Sequence, residues 1–360
     1  MSITTRRRTA PGLAVPRPTR MVDGLLARRR PVPLDPGTVR VVLAAYGLAT
    51  TGPLAVLPLG QRSDLVVAPT AAGRVVVKRY PAHVVEDEIR HEHAIAGRLA
   101  AVGFPIAPLH ANRRGTTMTK LAGDRYAVTS LVDGVSVAGC YLTRRARREI
   151  FRDAGAVLAR FHDALEGFRP EGRHHLETVG ADGRWDGGAD QYRVILDTLA
   201  ATAARAPADE HERWLLERRT EIGDAIQRLD AVLDGRRLDL GVIHGDFGIH
   251  NLTYATDGRA TVHDLELARR DLLLIDVAVV LSCSQVGTGR AFLEGYASAR
   301  PLDAERWTVL AEVWEHYRWC GAVRSWNNYR RLGDARRLTA ARQRVEEARQ
   351  LASEGLAAWE

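Results

Sequence analysis

Leu54 to Leu59, Asp64 to Pro69 and Arg74 to Tyr80 are three strand-like runs. Only Gly60-Gln61-Arg62-Ser63 and Ala71 to Gly73 separate them. Connections that short join neighbours running in opposite directions, because a parallel pair needs a crossover of about a dozen residues. The spacing therefore predicts an antiparallel meander. Its third run, Val75-Val76-Val77-Lys78, is β-branched and reads as a central strand.

The rest of the chain must close around that sheet. Residues 36–50 read as a short helix ending near Tyr46-Gly47. Residues 83–101 switch to helical period, with Ile89, Glu92, Ala96 and Leu99 on one face. Two further strands are expected near Thr116 to Lys120 and Arg125 to Leu131, with Val132-Asp133-Gly134 as a linker. From 142 onward the pattern is mainly helical. Ile150, Phe151, Ala154, Val157, Leu158, Phe161 and Leu165 form an apolar stripe. Helices are expected at 190–204, 209–234, 272–284, 289–299, 302–330 and 336–358, interrupted at 239–268 by short apolar strands. This order predicts an α+β fold of two lobes, a β-rich one over 36–131 and a larger α-rich one over 132–360. Residues 1–35 read as a basic, disordered tail.

Charge limits the choice of partner. The formal net charge of +7 resides in residues 1–30, which hold eight arginines and one acid. The remaining 330 residues balance 43 basic against 43 acidic side chains. A nucleic-acid-binding body carries its own basic face, so none is expected here. No run of apolar residues is long enough to span a membrane, and the N-terminus lacks the apolar core of a secretory signal. Cys140, Cys283 and Cys320 are odd in number and far apart, so a zinc or disulfide framework is not expected. Buried structural thiols in a reducing, cytoplasmic compartment are the expectation. Only two of the 51 basic residues are lysines, Lys78 and Lys120. Where arginine serves almost everywhere, a lysine inside an apolar run invites a chemical reason, since an ammonium and a guanidinium differ in shape and hydration.

The chemistry concentrates in the strand-like interruption. His244-Gly245-Asp246 follows an apolar run, Asn251 lies five residues beyond Asp246, and Asp264 thirteen beyond that, past a turn at Asp257-Gly258. The segment reads as a hairpin with polar groups at its strand–loop junctions. Phosphoryl transfer asks for a carboxylate near an attacking hydroxyl and for hard oxygen ligands to Mg²⁺, and these residue types supply both.

These residues resemble the aminoglycoside phosphotransferase and choline kinase family, which has a protein-kinase-like fold. The match lies in the H-G-D-x-x-x-x-N loop from His244 to Asn251 and in the strand ending at Asp264. It extends to Leu274-Ile275-Asp276-Val277-Ala278, where the aspartate would open the next helix in a mainly structural role. The resemblance implies Asp246 as catalytic base, Asn251 and Asp264 as Mg²⁺ ligands, Lys78 on the ATP phosphates and Glu92 as its partner. It also implies nucleotide contacts at the turn through Ser63 and at the backbone near Ser130 and Val132, with adenine between the lobes. Four features depart from the family pattern: Leu265 in place of Phe, Glu266, His250 beside Asn251, and a Gly60 to Asp64 loop without a full glycine-rich motif.

The acceptor implied is a small molecule bearing a hydroxyl, an amino sugar first and a homoserine- or choline-type amino alcohol next. Asp133, Asp163, Asp186, Asp190 and Glu266 are candidate acids for a cationic acceptor, and Trp319, Trp326 and Asn327 candidate walls, with plain helix packing at least an equal reading for each tryptophan. A protein kinase is disfavoured, because no A-P-E segment follows Asp264. A non-catalytic nucleotide-binding module would not need the full set of Lys78, Asp246, Asn251 and Asp264. The chain has no Gly-Lys dipeptide for a P-loop and no G-x-S-x-G elbow. His91-Glu92-His93 is not a zincin motif and reads as a solvated helix face.

Overall fold

In the computed structural model the described residues are 34–57, 63–137, 140–180, 185, 196–197, 199–205, 210–233, 239–284, 286–332, 338–339 and 342–346. The expected tail and most of the expected helix 336–358 lie outside them, as do Asp186 and Asp190. The chain forms two compact units. The first holds residues up to Val84, Pro105–Ala146 and Ile249–His263; the second holds Val85–Phe104, Arg147–Gly248 and the chain from Asp264 onward. The expected boundary at 131–132 thus does not coincide with this division. The helix after the meander belongs to the second unit, and the hairpin after Asn251 to the first.

The first unit opens with helix α1, Pro36–Ala45. Asp35 caps it by accepting from the Thr38 N–H at 2.8 Å, and Pro36 occupies a first-turn position where no N–H is needed. Gly47, at φ +72°, ends it in the left-handed conformation that favours glycine. Strands β1 (Ala55–Val56), β2 (Asp64–Thr70), β3 (Gly73–Arg79), β4 (Thr119–Leu121) and β5 (Asp124–Ser130) make one antiparallel sheet in the order β1-β2-β3-β5-β4. The expected meander is present with β3 at its centre. Val75 and Val77 of β3 point to the face covered by Val39, Val42 and Leu43 of α1. Strand alternation therefore puts Val76, Lys78 and Tyr80 on the other face. A small second sheet joins β6 (Val135–Ser136), β8 (Leu252–Tyr254) and β9 (Ala260–Val262).

The second unit contains α2 (Glu86–Ala101), α3 (Arg144–Ala164, which begins at the end of the first), α4 (Glu210–Glu217) and α5 (Arg219–Leu233). Beyond these lie α6 (Leu274–Ser282), α7 (Val286–Ala297) and α8 (Ala304–Leu332). The expected stripe of α3 is buried throughout. The interruption at 239–268 is two ladders rather than one hairpin. Strand β7 (Leu240–Ile243) pairs with β10 (Arg269–Leu272) in this unit, while β8 and β9 pair in the first. Strand β10 was not expected.

Burial decides three further readings. His91 and His93 are both buried, not on a solvated face; residues two apart lie on opposite sides of a helix, so α2 is covered on two sides. Trp319 and Trp326 pack into a core with Leu199, Ile222, Ile226 and Val323, and so serve as helix packing rather than as walls. Of the three cysteines only Cys320 is buried; Cys283 is exposed. No described helix is long and apolar enough to cross a membrane.

Candidate active site

The loop that carries Asp246 is held from behind. Strand β7 delivers His244, which is fully buried, and two successive backbone N–H groups then point at one carboxylate. His244 N–H donates to Asp276 Oδ2 at 2.7 Å and Gly245 N–H to Asp276 Oδ1 at 2.8 Å. Asp276 lies in the first turn of α6 with no solvent exposure. His162 of α3 reaches the same carboxylate through Nε2 at 3.1 Å, and its Nδ1 lies 3.0 Å from the Tyr296 hydroxyl of α7. A carboxylate accepts only, so Nε2 carries a proton. Burial alone would raise the Asp276 carboxyl, but the hydrogen bond and charge of His162, with the His244 N–H, hold it below its ordinary value. An ionised, fully buried carboxylate is tolerable when hydrogen-bond donors surround it.

Gly245 sits at φ +80°. A side chain there would also run into the Leu267 carbonyl oxygen and the Arg269 guanidinium. The second position of H-G-D is therefore glycine for two reasons, backbone conformation and close approach. Phe247 is buried two residues on and stacks edge-on to His244, with centroids 5.6 Å apart. Asp246 lies between them at the bend, half-buried.

Asn251 ends a short 3-10 turn, Ile249–Asn251, and is 5% exposed. Its backbone carbonyl accepts from the His263 N–H at 3.1 Å. Asp264 follows His263 directly, so both candidate ligands start from linked stretches of backbone. Asp264 has φ +65°, one of two described non-glycine residues in the left-handed region, and its side chain is exposed. Such a conformation costs about 1–2 kcal/mol and marks positions where function outweighs local stability. Asn251 and Asp264 offer only amide and carboxylate oxygens, a donor set that suits Mg²⁺ better than softer ions.

In the first unit, Lys78 pairs across β3 with Leu65 and Ala127, and its ammonium stands 4.5 Å from the centroid of the Tyr80 ring. Ser63 is buried and precedes Asp64, which pairs with Arg79. Ser130, at the end of β5, donates its N–H to Pro108 O at 2.9 Å, and its hydroxyl meets His110 Nε2 at 3.0 Å. Its N–H is thus committed within the protein. Lys78, Ser63, Ser130, Val132 and Asn251 all belong to the first unit; Glu92, Asp246 and Asp264 belong to the second. Glu92 lies at the edge of the buried stripe of α2. Its neighbour Glu88 is engaged by His175.

The candidate acids for a cationic acceptor are partly neutralised. Asp133 pairs with Arg74, and Asp163 pairs with Arg300 at 2.7 Å. The sequence reading missed His162 and Tyr296. The signal for His162 was present: it falls beside Leu158, Phe161 and Leu165 on the apolar stripe of α3, where a solvated histidine has no place.

Known proteins give the following comparisons. A family model described as a phosphotransferase enzyme family matches residues 54–313. The homoserine kinase of Xanthobacter autotrophicus is 26% identical over 282 residues, covering 74% of this chain and 78% of that one. The homoserine kinase of Rhizobium etli is 28% identical over 250 residues, covering 67% and 70%. Among solved structures, an aminoglycoside phosphotransferase from Alicyclobacillus acidocaldarius superposes with a TM-score of 0.62 at 19% identity, covering 93% of this chain and 99% of that one. An amicoumacin kinase in complex with AMP-PNP, Ca²⁺ and its ligand superposes with a TM-score of 0.64 at 14% identity, covering 88% and 93%. These structures share the fold, and the expected α+β kinase-like architecture is the one observed.

Proposed function

The chain belongs to the phosphotransferase enzyme family and is a small-molecule kinase; from that premise we propose that it moves the γ-phosphoryl group of ATP, with Mg²⁺, to the hydroxyl of a small amino alcohol of the homoserine type. The observation that carries this reading is the buried Asp276 carboxylate clamping the His244–Gly245 backbone, so that Asp246 is presented at a fixed bend. Asp246 then orients the acceptor hydroxyl and takes its proton as the oxygen bonds to the γ-phosphorus and the bond to ADP breaks. Asn251 and Asp264 would hold Mg²⁺, whose contribution is to offset charge on the phosphate oxygens. Lys78 would lie along the α and β phosphates, with Glu92 as its counter-charge. Ser63 and the backbone of Ser130 and Val132 would contact the nucleotide.

The acceptor class rests on the homoserine kinases that are relatives over about three-quarters of the chain. We place the reaction in the cytoplasm, where ATP and Mg²⁺ are supplied.

The test is ADP release by the purified protein with ATP and Mg²⁺ across homoserine, aminopropanol, choline and an aminoglycoside, followed by product mass. A gain of one phosphoryl group on an amino alcohol supports the reading. Turnover on the aminoglycoside alone replaces the acceptor class, and no turnover on any of them with folded protein removes it.

A further inference from the structure

We propose that Glu88, His174 and His175 form a binding site for a first-row transition-metal ion of the Zn²⁺ class, separate from the residues assigned to phosphoryl transfer. One donor atom from each of the three lies within 4.8 Å of the other two. Glu88 comes from the first turn of α2; the histidines come from the segment 171–178 that crosses it. Two imidazoles and one carboxylate are a donor set for Zn²⁺, which takes three protein ligands and leaves a fourth position to water.

The crossing segment is fixed by bonds that owe nothing to a metal. Gly172, at φ +80°, lies so close to the Asp87 carbonyl that no side chain would fit. Arg173 N–H donates to Asp87 Oδ2 at 2.9 Å, and His91 Nδ1 and Gly172 O meet at 3.2 Å. A turn closed by the Glu177 N–H on the His174 carbonyl at 3.0 Å carries both histidines, and their imidazole rings stack with centroids 4.6 Å apart and an interplanar angle of 27°, so both stand on one side.

Both ring nitrogens of His174 are engaged within the protein, which fixes its tautomer. Its Nδ1 accepts from the Leu176 N–H at 3.1 Å, so the ring proton resides on Nε2, which donates to the Glu266 carbonyl at 3.1 Å. A buried imidazole whose second nitrogen donates to a backbone carbonyl is the outer arrangement that metal-binding histidines use to fix their tautomer. His175 offers Nδ1, which contacts Glu88 Oε1, and its backbone N–H donates to the same oxygen at 3.2 Å. On binding, the Nδ1–H bond of His175 gives way to an Nδ1–metal bond. The displaced proton moves to Nε2 or, from an imidazolium, leaves to solvent. His174 exchanges the Leu176 N–H for the ion at Nδ1 and keeps its bond to Glu266.

The probe is Co²⁺, titrated into the full-length protein in excess Mg²⁺, which fills hard-oxygen sites. We expect one equivalent bound, a visible spectrum of nitrogen and oxygen ligation without a thiolate charge-transfer band, and displacement by Zn²⁺. Affinity should fall by about 100-fold or more in Glu88→Gln and in His175→Gln, beyond the range for loss of an outer partner. The His175 side chain is 61% exposed, so its replacement leaves the core intact, and circular dichroism checks both folds. Unchanged affinity in both variants, a thiolate band from Cys140 or Cys283, or no binding at micromolar Co²⁺ overturns the site. Kinase activity does not enter the readout, so the phosphoryl-transfer assignment stands or falls separately.

Discussion

Asp264 allows backbone strain and chemistry to be measured apart. At φ +65° a residue with a Cβ pays about 1–2 kcal/mol that glycine does not. Glycine pays back about 0.4–1 kcal/mol through its freer unfolded chain. Asp264→Ala and Asp264→Gly remove the same carboxylate and whatever that carboxylate touches, and the exposed side chain leaves no cavity in either. Their difference therefore isolates the backbone, and Gly should be the more stable by roughly 1 kcal/mol. With a urea slope of about 3 kcal/mol/M, the midpoints differ by about 0.3 M. Both variants should lose Mg²⁺-dependent turnover by at least about 10²-fold if the carboxylate holds the ion. Equal midpoints at equal slopes would refute the left-handed conformation. Retained turnover in the glycine variant would refute the ligand assignment, whatever the stability result.

Asp246→Asn should lower turnover by about two to four orders of magnitude while ADP binding, followed by calorimetry, stays within a few-fold. Asp276→Asn puts an NH₂ group among three donors and should destabilise by about 3–5 kcal/mol in urea unfolding, as breaking a buried ionic cluster does; a loss under 1 kcal/mol would contradict the clamp. Stability should fall with acid in two stages. His174 and His316 have pKa values of about 4 in the folded protein, so between about pH 6.5 and 4 the unfolded chain binds protons that the native one refuses, and stability drops. Asp276, depressed in the folded state, contributes fully above the ordinary aspartate range, and its share is lost only as pH falls through its lowered value. His316→Phe should flatten the first stage in a pH series of melting temperatures.

Much of this architecture could be read from residue patterns because it is local. The turn spacings around 60 and 71 forced an antiparallel sheet, and the stripe of α3 named its own buried face. What could not be read depends on distant partners. Arg269-Arg270-Asp271-Leu272 shows no strand alternation; it is a strand because β7 pairs with it and because Arg269 neutralises Asp271 at 3.0 Å. His91 and His93 looked like surface because they are polar, yet a segment some eighty residues away covers one of them. The loop of Asp246 and Asn251 was legible as spacing, whereas the reason it holds its shape was not, since His162 and Tyr296 lie on helices far along the chain.

The carboxylate of Asp276 has no solvent exposure, and this has an evolutionary consequence. A part of the catalyst that no ligand touches escapes selection for ligand preference. Walls that choose between one alcohol and another can mutate freely while the buried aspartate, histidine and tyrosine keep the reactive loop in register. Diversification of substrate on this scaffold then requires no reinvention of the chemical step, only changes at its rim.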